Sequence, residues 1–154
     1  MPLIHVVSPL LLIWSGLLLG VSFVATPAKF LAPSLQLAQA LDVGRWTFHV
    51  LGLIEWGLVV VLGLLVLACR PRVATGWWPV TIALMAIAAV LAVETWALRP
   101  MLEARTLEII AGRSVPPNSL HTAYVALEVL KLALVLAAAF ASARWKPATA
   151  RISV

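Results

Sequence analysis

Residues 46–68 read WTFHVLGLIEWGLVVVLGLLVLA, an apolar run that contains one formally charged side chain, Glu55. An α-helix needs about 20 residues to cross the roughly 30 Å hydrocarbon core of a bilayer, so this run is long enough to span it. Lipid offers no hydrogen-bond partners to backbone amides, and a helix satisfies them internally. The run therefore predicts a transmembrane α-helix.

Three further runs of similar length and composition lie at residues 3–25, 77–98 and 120–143. The chain of 154 residues is 63% hydrophobic and only 11% charged, whereas a soluble domain carries roughly 25% charged residues. Intrinsic disorder is excluded, because it needs low hydrophobicity and high charge. We expect a single integral membrane domain of the all-α class, a four-helix transmembrane bundle arranged as two helical hairpins.

The first run is expected to be a spanning helix and not a cleaved signal peptide. No Lys or Arg precedes it, and it is longer than the roughly 7–15 residues of a signal core. Pro27 and Pro33 are expected to close this helix, and Asp42 is expected to cap the second.

The third helix is expected to end or kink at Arg99-Pro100, with a short helix at residues 101–111 and Gly112 as its C-cap. Residues 26–45 and 99–119 are then linkers on one face of the membrane, which we name side B. The termini and the turn at residues 70–72 lie on the opposite face, side A.

The net charge of +5 is expected to come from basic loops that meet anionic lipid headgroups. We expect no nucleic-acid partner, because no long stripe of Lys and Arg exists. Each side carries five Lys and Arg residues, but those of side A lie close to the helix ends. We therefore expect the termini to be cytoplasmic in a bacterial cytoplasmic membrane. The basic residues of side A are Arg70, Arg72, Arg144, Lys146 and Arg151.

Seven side chains inside or near the predicted spans form the candidate substrate or proton site. Charged groups inside a membrane cost about 2.5–3.5 kcal/mol each on insertion scales and rarely face lipid. Depth is counted at 1.5 Å per residue from the side B end of each helix. The deeper of these groups then lie about 7–15 Å below the surface, and the others are shallower. All of them fall in the half of the membrane nearest side B, as do Ser22 and Thr26. We expect a polar pocket that opens to side B. The seven residues are Glu55, Glu94, Glu128, Lys131, His49, His121 and Tyr124.

The role of the intramembrane charges has two interpretations. Glu128 and Lys131, three residues apart on one helix face, form either a self-neutralising ion pair that aids packing or part of a proton or substrate site. Glu55 is expected to be unpaired and protonated, because burial disfavours the charged form, and this suits either proton coupling or a hydrogen bond to a neighbouring helix.

Glu94 is expected to pair with Arg99 or Arg45 near the membrane surface. His49 and His121 are alternative axial ligands for a haem b, since imidazole is a usual haem ligand; otherwise we expect no cofactor and no metal. The chain has one cysteine, Cys69, which excludes an internal disulfide. No hydrolase elbow, phosphate loop or dinucleotide fingerprint occurs, so an enzyme is not favoured.

Residues 23–30, FVATPAKF, and 44–49, GRWTFH, resemble the first hairpin of a bacterial family of small four-helix membrane proteins related to eukaryotic transmembrane protein two-hundred-and-five. Residues 94–100, ETWALRP, resemble the exit of its third helix. The chain is also similar, more weakly, to anthrone-oxygenase-like four-helix proteins. The resemblance implies four spans and no settled activity. Where that family has a His and a later Asn on the fourth helix, this chain has Tyr124 and Lys131.

These features favour a small integral membrane protein that binds or moves a small solute, proton or ion through the polar pocket. Four helices give little room for a translocation path, so we expect a homo-oligomer or association with other membrane subunits. Two alternatives stay open: a membrane oxidoreductase that binds haem or a lipophilic substrate, and an accessory or assembly subunit of a larger membrane complex.

Overall fold

The computed structural model describes residues 3–70 and 76–145. These residues form four helices that are long and apolar enough to cross a membrane, and they contain no strand. This confirms the all-α four-helix bundle. The helices are α1, Ile4–Leu31; α2, Leu37–Cys69; α3, Trp77–Ile110; and α4, Leu120–Ala143. Arg72 of the predicted turn and Lys146 and Arg151 of the tail lie outside the described residues.

The four helices alternate in direction. The N-terminal halves of α1 and α3 share one apolar core with the C-terminal halves of α2 and α4. Helix α4 makes its most extensive contacts with α1 and α3, whereas α2 packs mainly against α3. The core fills the side A half of the bundle, and Cys69 is buried in it. Its fully buried members include Leu11, Leu62, Ile87 and Val135.

Helix α1 continues past Pro27, where the sequence predicted its end. The turns before this proline, Leu19–Ala25, wind as a π-helix, and a short α-helical segment, Thr26–Ala28, follows. Proline has no N–H, so a carbonyl one turn earlier loses its usual partner; the helix widens locally instead of ending. The helix stops at Leu31, just before Pro33, which biases the preceding residue towards extended backbone.

Helix α3 likewise continues through Pro100. A π-helical segment, Glu94–Leu98, precedes the proline and an α-helical segment, Arg99–Ile110, follows it. The short helix predicted at residues 101–111 is therefore the end of α3. Gly112 comes just after that end with a φ of +75°, the left-handed conformation expected of a C-terminal glycine.

Helix α2 begins at Leu37 and not near residue 46. The side chain of Gln36 and that of Gln39 cap the first turn reciprocally. Asp42, the predicted cap, lies inside the helix and accepts hydrogen bonds from Arg45 at 2.9–3.0 Å. An acid and a base three residues apart stabilise a continuous helix, so the polar stretch before residue 46 extends α2 instead of interrupting it.

Candidate functional site

Four charged side chains meet inside the bundle, and none of them is more than 2% exposed. Glu55 comes from α2, Glu94 from α3, and Glu128 and Lys131 from α4. Lys131 Nζ lies at the centre, 3.0 Å from Glu55 Oε2, 2.6 Å from Glu94 Oε2 and 3.0 Å from Glu128 Oε1. An ammonium group has three N–H donors, and here each carboxylate accepts from it. We name these four residues the Lys131 cluster.

Helix α1 completes the surroundings of the cluster with two uncharged donors. Trp14 Nε1 donates to Glu55 Oε1 at 3.1 Å, and Ser22 Oγ donates to Glu128 Oε2 at 3.1 Å. The sequence placed Ser22 at the right depth. It missed Trp14, because a tryptophan within an apolar run carries no signal of a polar role. All four helices therefore contribute side chains to one polar site.

Glu55 is paired, contrary to the sequence expectation. It contacts Lys131, which is 76 residues away in sequence and on another helix, so the spacing of residues within α2 contained no sign of it. The predicted ion pair between Glu128 and Lys131 is present. It is shared with two further carboxylates, so one ammonium faces three acids.

The expectation that Glu94 pairs with Arg99 or Arg45 is wrong. It assumed that the third helix ends at Arg99, which would leave Glu94 near the membrane surface. Because α3 continues to Ile110, Glu94 lies deeper and reaches Lys131. Its second oxygen, Oε1, is buried and has no hydrogen-bond partner.

The two arginines have other partners. Arg45 pairs with Asp42 and with Glu103 Oε1, the latter at 2.8 Å. Arg99 donates to the carbonyl oxygen of Phe48 at 3.3 Å and to Thr95 Oγ1 at 2.8 Å.

A cavity of about 290 Å³ lies between the helices towards side B. Three of the predicted site residues, His49, His121 and Tyr124, line it, and its walls are mostly apolar and aromatic. The seven predicted residues thus divide into two neighbouring groups, four in the Lys131 cluster and three on the cavity wall.

Tyr124 joins the two groups. Its ring lies edge-on to that of Phe48, with centroids 5.3 Å apart, and both residues line the cavity. Glu128 lies one helical turn further along α4, and both side chains are buried. Tyr124 therefore connects the cavity to the buried carboxylates.

Two glycines of α2 make room for cations on the cavity wall. The ammonium of Lys29 lies against Gly44, and the guanidinium of Arg99 lies against Gly52. A Cβ atom at either glycine would overlap with the cationic group. The absence of a side chain at these positions lets the two cations approach the helix closely.

The three carboxylates of the cluster each offer an oxygen within 4.8 Å of the others, a spacing that suits a metal ion. Carboxylate oxygens are ligands for hard cations. Here, Lys131 Nζ already bonds all three acids, so a metal ion would have to displace the ammonium. His49 and His121 share the cavity wall, and their role as haem ligands stays a prediction that an absorption spectrum of the purified protein tests.

No family model matches the chain, and neither a curated protein nor a solved structure matches it. The family resemblance seen in the sequence stays a prediction, and the function rests on the geometry of the cluster and the cavity.

Proposed function

We propose that the protein binds a proton within the membrane at the Lys131 cluster and exchanges it with side B through the adjoining cavity. The observation that carries the proposal is that three fully buried carboxylates share one ammonium group. Such a site supports the binding or movement of a proton, either alone or together with a small solute in the cavity.

The charge balance of the cluster favours protonation. With all four groups ionised, three negative charges would face one positive charge in the interior of the bundle. Burying an ion costs several kcal/mol even after the protein relaxes, unless the ion is fully paired. Each bound proton removes one negative charge, and two protons would make the cluster neutral.

Glu94 is the carboxylate to which we assign the exchangeable proton. Glu55 accepts from both Lys131 and Trp14, and Glu128 accepts from both Lys131 and Ser22. Glu94 accepts from Lys131 alone. Hydrogen-bond donors stabilise the ionised form of a carboxylate, so the group with the fewest donors holds a proton most readily.

Tyr124 offers a route between this site and side B. It lies on the cavity wall, and Glu128 follows it one helical turn further along α4. A hydroxyl group both donates and accepts a hydrogen bond, which a proton relay requires.

Infrared difference spectroscopy on the purified protein tests whether a carboxyl group of the cluster is protonated. We expect a protonated carboxyl band in the wild type that Glu94→Gln removes. Glu108→Gln is the matched control, because Glu108 lies outside the cluster and pairs with Arg113. A wild-type spectrum without such a band would refute the assignment.

Proton flux tests whether the cluster also moves its proton across the membrane, beyond the exchange with side B. Liposomes that contain the protein and an internal pH-sensitive dye should acidify under an imposed membrane potential, and Glu94→Gln and Glu55→Gln should slow the change at least about tenfold. Flux equal to that of empty liposomes would contradict proton movement, and the infrared result would then show whether binding alone survives.

The membrane, the orientation and the partners of the protein are part of the proposed function. We place it in a bacterial cytoplasmic membrane with both termini cytoplasmic, as a homo-oligomer or with other membrane subunits. Large apolar side chains lie exposed along the helices, such as Ile13, Leu53 and Met85, and lipid or another subunit would cover them. Reporter fusions at the C-terminus test the orientation, and cross-linking in native membranes tests the association.

A further inference from the structure

Three hydrogen-bond donors on the cavity wall lack a partner. Thr26 Oγ1 and Arg99 Nε are buried atoms without a hydrogen-bond partner. Lys29 Nζ, over the part of the chain that the structure describes, makes no ion pair and no hydrogen bond, and it lies over the Phe30 ring, 5.1 Å from the centroid. Buried polar groups in proteins are nearly always paired, so the two buried unmatched atoms on this wall, together with the half-buried ammonium of Lys29, point to a missing acceptor.

The charges on the cavity wall favour an anion. One acid, Glu103, lies on the wall, and it pairs with Arg45. Lys29 and Arg99 have no carboxylate partner within the described ranges, so two positive charges remain uncompensated. Both cations are half-buried, and a bound anion would offset the cost of their partial removal from water.

The two cations are held in place by the backbone of α2. Gly44 and Gly52 lie two helical turns apart, and the cationic groups of Lys29 and Arg99 occupy the space that a Cβ atom would fill. Arg99 is further oriented by its bonds to the carbonyl of Phe48 and to Thr95. Arg99 is therefore oriented before any ligand arrives.

We propose that the cavity binds a small organic carboxylate whose apolar body is about the size of one aromatic ring. Its carboxylate accepts from the unpartnered Arg99 Nε and Thr26 Oγ1 and is attracted by the positive charge of Lys29, and its body lies against the aromatic wall that includes Phe48 and Tyr124. A volume of about 290 Å³ is near the lower limit for sites that enclose a small molecule. This site goes beyond the proton site, and it would bind its ligand whether or not the Lys131 cluster exchanges a proton.

Binding of benzoate to the full chain in detergent tests the proposal, with benzamide as the uncharged analogue of the same shape. Equilibrium dialysis should show saturable binding of benzoate and at least about tenfold weaker binding of benzamide. Lys29→Gln should weaken benzoate at least about tenfold, a factor that corresponds to roughly 1.4 kcal/mol.

Gly52→Ala keeps every charge but displaces the Arg99 guanidinium, so it should also weaken benzoate. Arg113→Gln is the control, because Arg113 is exposed outside the cavity and pairs with Glu108. Equal binding of benzoate and benzamide, or the same affinity in Gly52→Ala and Lys29→Gln as in wild type, would overturn the proposal.

A lipid headgroup offers the cavity the same oxyanion chemistry. Benzoate binding should therefore be compared in nanodiscs of phosphatidylcholine and in nanodiscs that also contain phosphatidylglycerol. Equal affinity in the two supports a soluble carboxylate as the ligand. Loss of benzoate binding in the anionic nanodiscs would assign the cavity to a lipid headgroup and contradict the proposal.

Discussion

Lys131 Nζ on α4 lies 2.6 Å from Glu94 Oε2 on α3, although 37 residues separate them in the sequence. Both side chains are fully buried. This contact brings a third carboxylate to an ammonium that Glu55 and Glu128 already share. One acid and one base would form a neutral ion pair, whereas three acids around one base form a cluster with an excess of acid. This excess is the basis of the proposed proton site.

Removal of the central cation should destabilise the bundle strongly. Lys131→Met leaves the ionised carboxylates of the cluster buried without a counter-charge, and breaking a buried ion pair in this way costs about 3–5 kcal/mol. Reversible unfolding in detergent, followed by circular dichroism, measures the loss. Arg113→Met removes an exposed cation that pairs with Glu108 and should leave the unfolding midpoint unchanged. Equal midpoints for Lys131→Met and wild type would contradict a structural role for the cluster.

The three carboxylates should differ in their tolerance of an amide. Glu94→Gln should cost less unfolding free energy than Glu55→Gln, because a protonated carboxyl group and an amide are both neutral and similar in shape. Glu55 accepts from both Trp14 and Lys131, so its ionised form is the better stabilised of the two. We expect a difference of about 1 kcal/mol or more, the typical worth of one hydrogen bond. The reverse order in unfolding experiments would place the proton on Glu55.

Trp14 should contribute to stability through its indole N–H as well as its volume. Trp14→Phe keeps an aromatic ring in the core but removes the hydrogen bond to Glu55, and hydrogen bonds to charged groups contribute about 1.5–3 kcal/mol. Trp96→Phe is the control, because the Trp96 side chain is 71% exposed. If both variants unfold at the same denaturant concentration, the hydrogen bond contributes nothing measurable.

Two glycines of α2 should respond to alanine in opposite ways. A Cβ at Gly52 overlaps with the guanidinium of Arg99, whereas a Cβ at Gly57 meets nothing within 4 Å. Gly57→Ala should stabilise the helix by up to about 1 kcal/mol through helix propensity. Gly52→Ala should lower the unfolding midpoint relative to Gly57→Ala, because Arg99 must leave its place. Equal shifts of the unfolding midpoint in both variants would show that the contact of Arg99 with Gly52 does not contribute to stability.

The prolines show where prediction from the sequence fell short. Pro27 and Pro100 each signal a helix end, because proline removes a donor and clashes with the preceding turn. In the bundle, both helices instead adopt a π-helical segment just before the proline and continue. Contacts with neighbouring helices compensate for the lost hydrogen bond. A prediction from the propensity of an isolated segment does not include such contacts.

The sequence alone was enough to predict the four long apolar helices and to place Glu55 and Glu128 well inside them. Both follow from local quantities, namely the length of each apolar run and the depth of a residue along its helix. The depth of Glu55 and Glu128 needed no knowledge of neighbouring helices.

Which charges meet depends on the packing of the helices. The spacing of Glu128 and Lys131 indicated one ion pair, but the contacts of Lys131 with Glu55 and Glu94 depend on how α2 and α3 are rotated and shifted against α4. The same holds for Lys29 and Arg99, which meet around one cavity because two glycines of α2 admit them. Contacts between helices depend on the packing of four side-chain surfaces at once, and no single stretch of sequence contains that information.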